Sequence, residues 1–350
     1  MKLGLVVNPL AGTGGPLALK GSDGLRCGCG WAAARARRAL AGLAGRPVEL
    51  VTAGGAMGAD AAAAVGLLPT LVHQPGSPSS GADTTAAVAA CVAAGAELIL
   101  FVGGDGTARD VLAAAPHVPV LGVPAGVKMH SAVFATSPAA AAAILAGLPG
   151  AALARVSEAE VIDRDAHGDM QLFGRLPVLA TPPRQAAKAA GPDADAALAA
   201  AVAGAAVELK TAPLCLIGPG LTMLALKQAL GAQGTLLGVD VFADGLLLHA
   251  DATAEQLLVL TRDAAPRLVL GVVGGQGFLL GRGNQQLSPA VLDRVAWPPL
   301  VLASAAKLAA LPGGRLLVDS GDEMLDRRLA GHVAVRTGPR QTMMMRIDAA

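Results

Sequence analysis

Aromatic and charged side chains are scarce in this chain. It contains no tyrosine, and phenylalanine and tryptophan together make up 2% of its 350 residues. Because single-stranded nucleic acids stack their bases on aromatic side chains, this composition argues against a nucleic-acid partner. Charged residues account for only 15% of the chain, and a net charge of +1 provides no attraction for nucleic acid or for an anionic membrane. We therefore expect neither as a partner.

Cysteine is also rare. Of four cysteines, only Cys27 and Cys29 lie close together in sequence, and no second Cys/His pair follows at the spacing of a zinc site. This pattern predicts reduced cysteines in a cytoplasmic protein. Residues 1–7 form a short apolar segment that is followed by Asn8 and Pro9 instead of a small-residue cleavage site, which predicts a strand and not a signal peptide.

The first part of the chain alternates short apolar runs with helical stretches. Hydrophobic residues make up 53% of the chain, and its length suits two domains. The apolar runs are continuous, which is typical of parallel strands that are buried on both faces. The sequence thus predicts a Rossmann-like α/β domain over residues 1–150, with functional loops at the carboxyl ends of its strands. The predicted strands are 2–7, 48–52, 70–73, 97–102 and 118–123, and the predicted helices are 31–44, 56–65, 83–94 and 107–115.

The pattern changes after about residue 150. Residues 158–163 alternate polar and apolar side chains, as a half-exposed strand does, and a further strand is expected over residues 172–180. We place a second domain over residues 151–350, with the extreme C-terminus allowed to return to the first domain. Asp240 and Asp244 are expected at a turn. The other predicted strands are 213–217, 236–242 and 269–273, and the predicted helices are 192–203, 221–230 and 254–263.

The most informative segment is Gly-Gly-Asp-Gly-Thr at residues 103–107, which follows a buried strand and opens a helix. Glycines let backbone N–H groups approach an anion closely, and the helix dipole favours negative charge at that point. A carboxylate in such a turn suits holding a metal or taking a proton from an attacking hydroxyl, and phosphoryl transfer needs both tasks. The alternative is a tight turn in which Asp105 only caps the helix. Since Thr107 can cap that helix itself, we favour the functional interpretation.

Two further loops follow strands of the same predicted sheet. Asn8 opens a glycine-rich loop, from which it can orient a ligand or a metal-bound water. That loop has neither the Walker A pattern nor Gly-x-Gly-x-x-Gly, so a Rossmann dehydrogenase is disfavoured. In the loop after residue 123, Lys128 can neutralise phosphate charge, while His130 and Ser131 add hydrogen-bond donors. For the loop that Asn8 opens, the alternative is a mobile surface loop. For the loop after residue 123, the alternative is a solvated loop.

Candidate ligand-binding residues also lie in the second predicted domain. Glu158 and Glu160 are two residues apart on a strand, hence on one face, where they can accept hydrogen bonds from a ribose hydroxyl or a carboxamide, or simply face solvent. Residues 274–286 combine glycines with amides and one arginine, which suits a polyoxygenated ligand or a long flexible loop. Residues 218–222 form another strand-to-helix turn that can bind phosphate. The substrate-binding candidates in these two segments are Gly218, Gly220, Thr222, Gly275, Gln276, Arg282 and Asn284.

At these residues the chain resembles a known family. Residues 103–107 are similar to the GGDGT signature of the superfamily of NAD kinases, diacylglycerol kinases and phosphofructokinases. Several other segments resemble the bacterial and archaeal ATP-NAD kinase branch that is often called AcoX-type, and together they cover most of the chain. These segments are residues 8–12, 19–24, 126–131, 236–240 and 274–285.

The resemblance implies an N-terminal α/β domain and a β-rich C-terminal domain of the NAD-kinase type, with the active site between them. It implies transfer of a terminal phosphoryl group from ATP or polyphosphate, with Mg²⁺, to the 2′-hydroxyl of the adenosine ribose of NAD. Asp105 would deprotonate that hydroxyl or hold Mg²⁺. Gly103, Gly104, Gly106 and Thr107 would hold phosphates. Family members are commonly homo-oligomers, so we expect one here.

Two alternatives stay open. The first is a kinase for another hydroxyl acceptor; a lipid acceptor is disfavoured because the sequence offers no basic or amphipathic membrane surface. The second is a non-catalytic accessory protein that binds NAD(P) or another nucleotide. It is favoured by the lack of the Asn-Glu pair that well-studied NAD kinases carry at the start of the second domain, where this chain has Ser-Glu-Ala-Glu at residues 157–160.

Overall fold

The fold is seen in a computed structural model. It describes residues 1–19, 22, 25, 28, 30–115, 117–127, 129–148, 156–164, 170–179, 192–273 and 276–350. The chain divides into two compact units, residues 1–14 with 21–182 and residues 15–20 with 183–350. In these ranges, no helix combines the length and hydropathy that crossing a bilayer requires.

The first unit is built around a sheet of seven described strands. These are β1 (Lys2–Val7), β2 (Glu49–Ala53), β3 (Thr70–His73), β4 (Leu98–Gly103), β5 (Val120–Pro124), β6 (Val156–Arg164) and β7 (Met170–Leu179). Their order is β3-β2-β1-β4-β5-β7-β6, and all neighbours are parallel except the hairpin of β6 and β7. The helices are α1 (Trp31–Leu40), α2 (Ala59–Ala63), α3 (Gly81–Ala93), α4 (Asp105–Ala114) and α5 (Pro138–Ala146).

Strand β4 illustrates why these apolar runs form a parallel sheet. All six of its residues are buried. Leu98, Leu100 and Val102 belong to a core shared with α1, α2 and α5, whereas Ile99 and Phe101 belong to a core shared with α3 and α4. A central strand covered by helices on both faces needs apolar residues at every position. The predicted α/β domain with a parallel sheet is therefore confirmed.

The hairpin of β6 and β7 extends this first sheet, so the first unit ends later than the predicted boundary at residue 150. Strand β7 pairs in parallel with β5, with Val178 opposite Val120. Alternate residues of the hairpin, including Ala159 and Val161, are buried in the core that contains α3 and α4. The polar–apolar alternation after residue 150 therefore marks the edge of the first sheet.

The second unit is also α/β. Its described strands are β8 (Cys215–Ile217), β9 (Asp240–Ala243), β10 (Leu246–His249), β11 (Arg267–Gly271), β12 (Ala296–Leu302), β13 (Arg315–Val318), β14 (Gly331–Arg336) and β15 (Thr342–Ala349). They form a sheet in the order β10-β9-β8-β11-β12-β14-β15-β13, in which most neighbours are parallel. The helices are α6 (Pro192–Leu209), α7 (Leu221–Ala229), α8 (Ala254–Leu260), α9 (Pro289–Leu292), α10 (Ala305–Ala309) and α11 (Glu323–Leu329).

Asp240 is not a turn residue, contrary to the sequence prediction. It lies at the start of β9, and its carboxylate is 3.0 Å from the Nζ of Lys227 on α7, with both side chains fully buried. Its oxygens also accept hydrogen bonds from the amide and hydroxyl of Thr235 and from the amide of Asp251. Asp244 does lie at the turn, with a positive φ of 48° between β9 and β10. The polar environment of Asp240 comes from tertiary contacts that a local turn pattern cannot show.

Candidate functional site

The turn between β4 and α4 needs glycine because other backbone and side-chain atoms come very close. A Cβ on Gly103 would overlap the side chain of Thr107. A Cβ on Gly104 would lie 3.1 Å from the Cα of Gly126, in the loop that follows β5. Gly104 is the N-cap of α4 and has no side chain to cap the first-turn N–H groups. These groups and the helix dipole therefore favour a negative charge at the turn.

Asp105 is the first residue of α4, so the helix begins two residues earlier than predicted. Its side chain is only 5% exposed and does not cap the helix, since the N-cap position belongs to Gly104. Instead, the carboxylate accepts hydrogen bonds from the backbone N–H of His130 at 2.7 Å and of Ser131 at 3.0 Å. Burial raises the pKa of Asp105 above its ordinary value, although hydrogen bonds from Ser131 and His130 oppose this shift.

Asn8 connects the end of β1 to the same helix. Its Nδ2 donates a hydrogen bond of 3.0 Å to Oγ1 of Thr107, and its Oδ1 accepts one of 3.0 Å from the N–H of Leu10. Thr107 is buried, and this hydrogen bond from Asn8 holds its hydroxyl in place. The structure thus brings together Asn8, Asp105, Thr107 and the loop of His130 and Ser131. Parallel strands that end at one sheet edge explain this convergence.

Strand β6 packs beside this cluster. The hydroxyl of Ser131 donates to the carbonyl of Ile162 at 2.9 Å and accepts from its N–H at 3.0 Å. The side chain of His130, by contrast, is exposed. Ser131, predicted to bind substrate, is therefore engaged by the protein itself.

Arg109 and Asp163 lie beside this cluster although the sequence pattern did not indicate them as site residues. Arg109 on α4 forms an ion pair of 3.1 Å with Asp163 on β6, and its guanidinium stacks over Phe173 on β7 at 4.3 Å from the ring centroid. The nearest atom to a Cβ built on Gly106 is an oxygen of Asp163, 4.0 Å away. The available signal was helical spacing: Arg109 lies three residues after Gly106 and four after Asp105, on adjacent positions of the helix surface.

The other predicted residues of the first unit lie at its surface or outside the described residues. Glu158 and Glu160 are exposed on β6, and Glu160 is 3.4 Å from Arg175 on β7. Lys128 lies outside the described residues, as do Gly275, Cys27 and Cys29.

The remaining cysteines, Cys91 and Cys215, are free and buried, and burial raises the pKa of each thiol, to about 12 and about 11 respectively.

In the second unit, the predicted residues Arg282 and Asn284 are engaged by other groups of that unit. Arg282 forms an ion pair of 3.0 Å with Asp319 and stacks over Phe278. The amide group of Asn284 accepts a hydrogen bond from the N–H of Gly281 and donates one to the carbonyl of Leu279. Both side chains are buried, so they stabilise the loop.

The turn before α7 and the residue Gln276 complete the predicted set of the second unit. Gly220 is the N-cap of α7 with a φ of +112°, a conformation that favours glycine, and its N–H donates to the carbonyl of Leu236. The amide of Gly218 is also used, since it donates to the carbonyl of Val269. Thr222 and Gln276 are half-buried.

Comparison with known proteins identifies the family. No curated protein and no solved structure matches the chain. The family model of the ATP-NAD kinase N-terminal domain matches residues 3–149, and that of the ATP-NAD kinase C-terminal domain matches residues 214–347. The two matches together span well over half of the chain. The chain therefore belongs to the ATP-NAD kinase family.

Proposed function

We propose that this protein is an NAD kinase, which transfers the terminal phosphoryl group of ATP or polyphosphate to the 2′-hydroxyl of the adenosine ribose of NAD. The family membership supports a kinase with NAD and ATP as ligands. The observation that carries the proposal is the environment of Asp105, a buried carboxylate at the end of β4 whose pKa is raised.

In this proposal Asp105 is the general base. A base works best when its pKa approaches the working pH, and burial moves the pKa of Asp105 in that direction. The two backbone N–H groups of His130 and Ser131 fix the carboxylate. It is therefore already oriented for proton transfer before each turnover. The proton of the attacking hydroxyl passes to a carboxylate oxygen as that hydroxyl approaches the terminal phosphorus in line with the leaving oxygen.

The phosphates are bound at the glycine-rich turn in this proposal. Gly103 and Gly104 allow close approach of the backbone, Gly106 is exposed, and Thr107 is held by Asn8. Backbone N–H groups at the start of α4 provide partial positive charge for the phosphate oxygens. Lys128 is proposed as an additional cation for these oxygens.

Magnesium enters this proposal as part of the substrate, bound to the phosphates of ATP. The described residues contain no cluster of three or more His, Cys, Asp or Glu side chains that could hold a metal ion. Asp105 is a single carboxylate whose two oxygens already accept backbone hydrogen bonds. The side chains near the turn therefore fit a metal ion that is bound mainly by phosphate oxygens. Kinases usually bind Mg²⁺ in this way.

The test is incubation of the purified protein with NAD, MgCl₂ and either ATP or polyphosphate, with NADP measured by an NADP-specific dehydrogenase. We expect NADP with at least one donor. If radiolabelled phosphate from ATP appears instead on another nucleoside or sugar, the acceptor is wrong but the kinase class stands. If calorimetry detects NADP binding and no acceptor is phosphorylated, the protein is a nucleotide-binding accessory protein and the proposal fails.

A further inference from the structure

The loop that holds Asp105 is itself held by strand β6. Ser131 is 8% exposed, and its amide donates to Oδ1 of Asp105 while its hydroxyl bonds both the N–H and the carbonyl of Ile162. The next residue continues this contact, because the N–H of Ala132 donates to the carbonyl of Glu160 at 2.9 Å. The loop is thus joined to β6 by the Ser131 hydroxyl and by one backbone hydrogen bond.

The helix that carries Asp105 is tied to the same strand. Arg109, one helical turn after Asp105, pairs with Asp163 on β6 at 3.1 Å and stacks on Phe173 of β7. Residues 162 and 163 are consecutive on β6, so one short segment fixes both the loop and the helix. A planar guanidinium that is both paired and stacked loses little further freedom, which suits a fixed connection.

We propose that Ser131 is a positioning residue, which fixes the carboxylate of Asp105 relative to β6 and so aligns it for proton transfer. This inference rests on the proposed function, in which Asp105 is the base. It gives the hairpin of β6 and β7 a function in the reaction although its side chains need not touch substrate. It also changes the expected function of Ser131 from binding substrate to holding the catalytic carboxylate.

The titration of Asp105 depends on the contacts that Ser131 makes. The hydrogen bonds from Ser131 stabilise the ionised carboxylate and so oppose the rise in pKa that burial causes. Of the ionisable groups, His130 in the same loop favours the charged form of this carboxylate, and it is retained when only the Ser131 hydroxyl is removed. Ser131→Ala keeps the backbone amide that binds Asp105 and loses only the bonds of the hydroxyl to Ile162, so a change in the titration of Asp105 reports on how firmly Ser131 holds the loop to β6.

The experiment compares Ser131→Ala with Ser137→Ala. Ser137 is 4% exposed, and its hydroxyl accepts a hydrogen bond from the N–H of Ala140 at the N-cap of α5. Each variant thus loses one buried serine hydroxyl that binds a backbone amide, but only Ser131 contacts Asp105. The side-chain carboxyl ¹³C signal of Asp105, assigned with Asp105→Asn, is followed against pH. NAD kinase kinetics are measured on the same samples.

We expect the titration midpoint of Asp105 to rise by about one pH unit in Ser131→Ala and to stay unchanged in Ser137→Ala. We also expect kcat to fall about tenfold with little change in KM, because the loss affects alignment and not substrate binding. If Ser131→Ala does not fold, Ser131→Cys fills the site with a somewhat larger thiol that is a weaker hydrogen-bonding group, and its midpoint should move in the same direction.

An unchanged midpoint in the folded Ser131 variant would overturn the proposal, and so would an equal shift in Ser137→Ala. Wild-type protein that makes no NADP would instead contradict the proposed function. These two failures are distinguishable because the ¹³C titration needs no turnover.

Discussion

Nδ2 of Asn8 donates a hydrogen bond of 3.0 Å to Oγ1 of Thr107, and this contact joins the end of β1 to the first turn of α4. It connects two segments that are about a hundred residues apart and that the account places at the phosphates of the donor. The stability of the glycine-rich turn therefore depends on a side-chain pair outside that turn.

Removing the hydroxyl of Thr107 should impair both folding and phosphoryl transfer. In Thr107→Val, the amide of Asn8 loses its acceptor, which should cost about 1–3 kcal/mol in the free energy of unfolding. We expect kcat/KM for ATP to fall at least about tenfold because the proposed contact of Thr107 with phosphate is lost as well. Thr261→Val is the control, since that hydroxyl bonds the carbonyl of Leu257 within α8 and is equally buried. Wild-type kinetics in Thr107→Val would contradict this.

A Cβ at Gly103 should not be tolerated. It would overlap the side chain of Thr107, so Gly103→Ala must displace the first turn of α4 and should lower the free energy of unfolding by about 1–3 kcal/mol. Gly204→Ala is the control, because that glycine is exposed on α6 with no atom within 4 Å of the added Cβ. This change should stabilise the protein by about 0.5–1 kcal/mol. Urea unfolding measures the free energy of unfolding of both variants. Equal values for Gly103→Ala and Gly204→Ala would contradict this prediction.

The raised pKa of Asp105 predicts a pH dependence of stability with a definite sign. Because the folded state prefers protonated Asp105, its stabilising contribution is complete below the pKa of the unfolded chain, about 3.9. This contribution is lost as the pH rises through the folded-state pKa. The stability of Asp105→Asn relative to wild type should therefore increase with pH over that window. Urea unfolding at several pH values tests this, and a relative stability that falls with pH would mean that the pKa is lowered.

Removing one partner of the buried pair of Lys227 and Asp240 should strongly destabilise the second unit. Lys227→Met leaves a fully buried carboxylate without its cation, which should cost about 3–5 kcal/mol in the free energy of unfolding. Lys210→Met, at an exposed position directly after α6, is the control and should change this free energy by less than about 0.5 kcal/mol. Similar denaturant midpoints for the two variants would show that the pair contributes little.

Much of the first unit was predictable because its strands are buried on both faces. Continuous apolar runs such as β4 indicate parallel strands, and parallel strands place the loops after β1, β4 and β5 at one edge. The convergence of Asn8, Asp105 and the loop of Ser131 follows from that rule. These features depend on the local pattern of apolar residues and on the order of parallel strands. Both can be inferred from the sequence.

Tertiary pairing was not predictable in the same way. The alternation in residues 158–163 indicates a half-exposed strand, but it does not say which sheet the strand joins; pairing of β7 with β5 decides that. Asp240 has the local sequence of a turn residue, yet it is buried against Lys227. Ser131 was expected to bind substrate as a hydrogen-bond donor in the loop after β5. Its contact with Ile162 was not predictable, because Ile162 contributes only backbone groups, which every residue has.

The most direct test of the account is NADP formation by wild-type protein and by Asp105→Asn, with NAD and ATP binding measured by calorimetry on the same samples. We predict that wild type phosphorylates the ribose 2′-hydroxyl of NAD, and that Asp105→Asn binds both ligands but loses nearly all turnover because it cannot accept the proton. Undiminished NADP formation by Asp105→Asn would contradict the function assigned to this carboxylate.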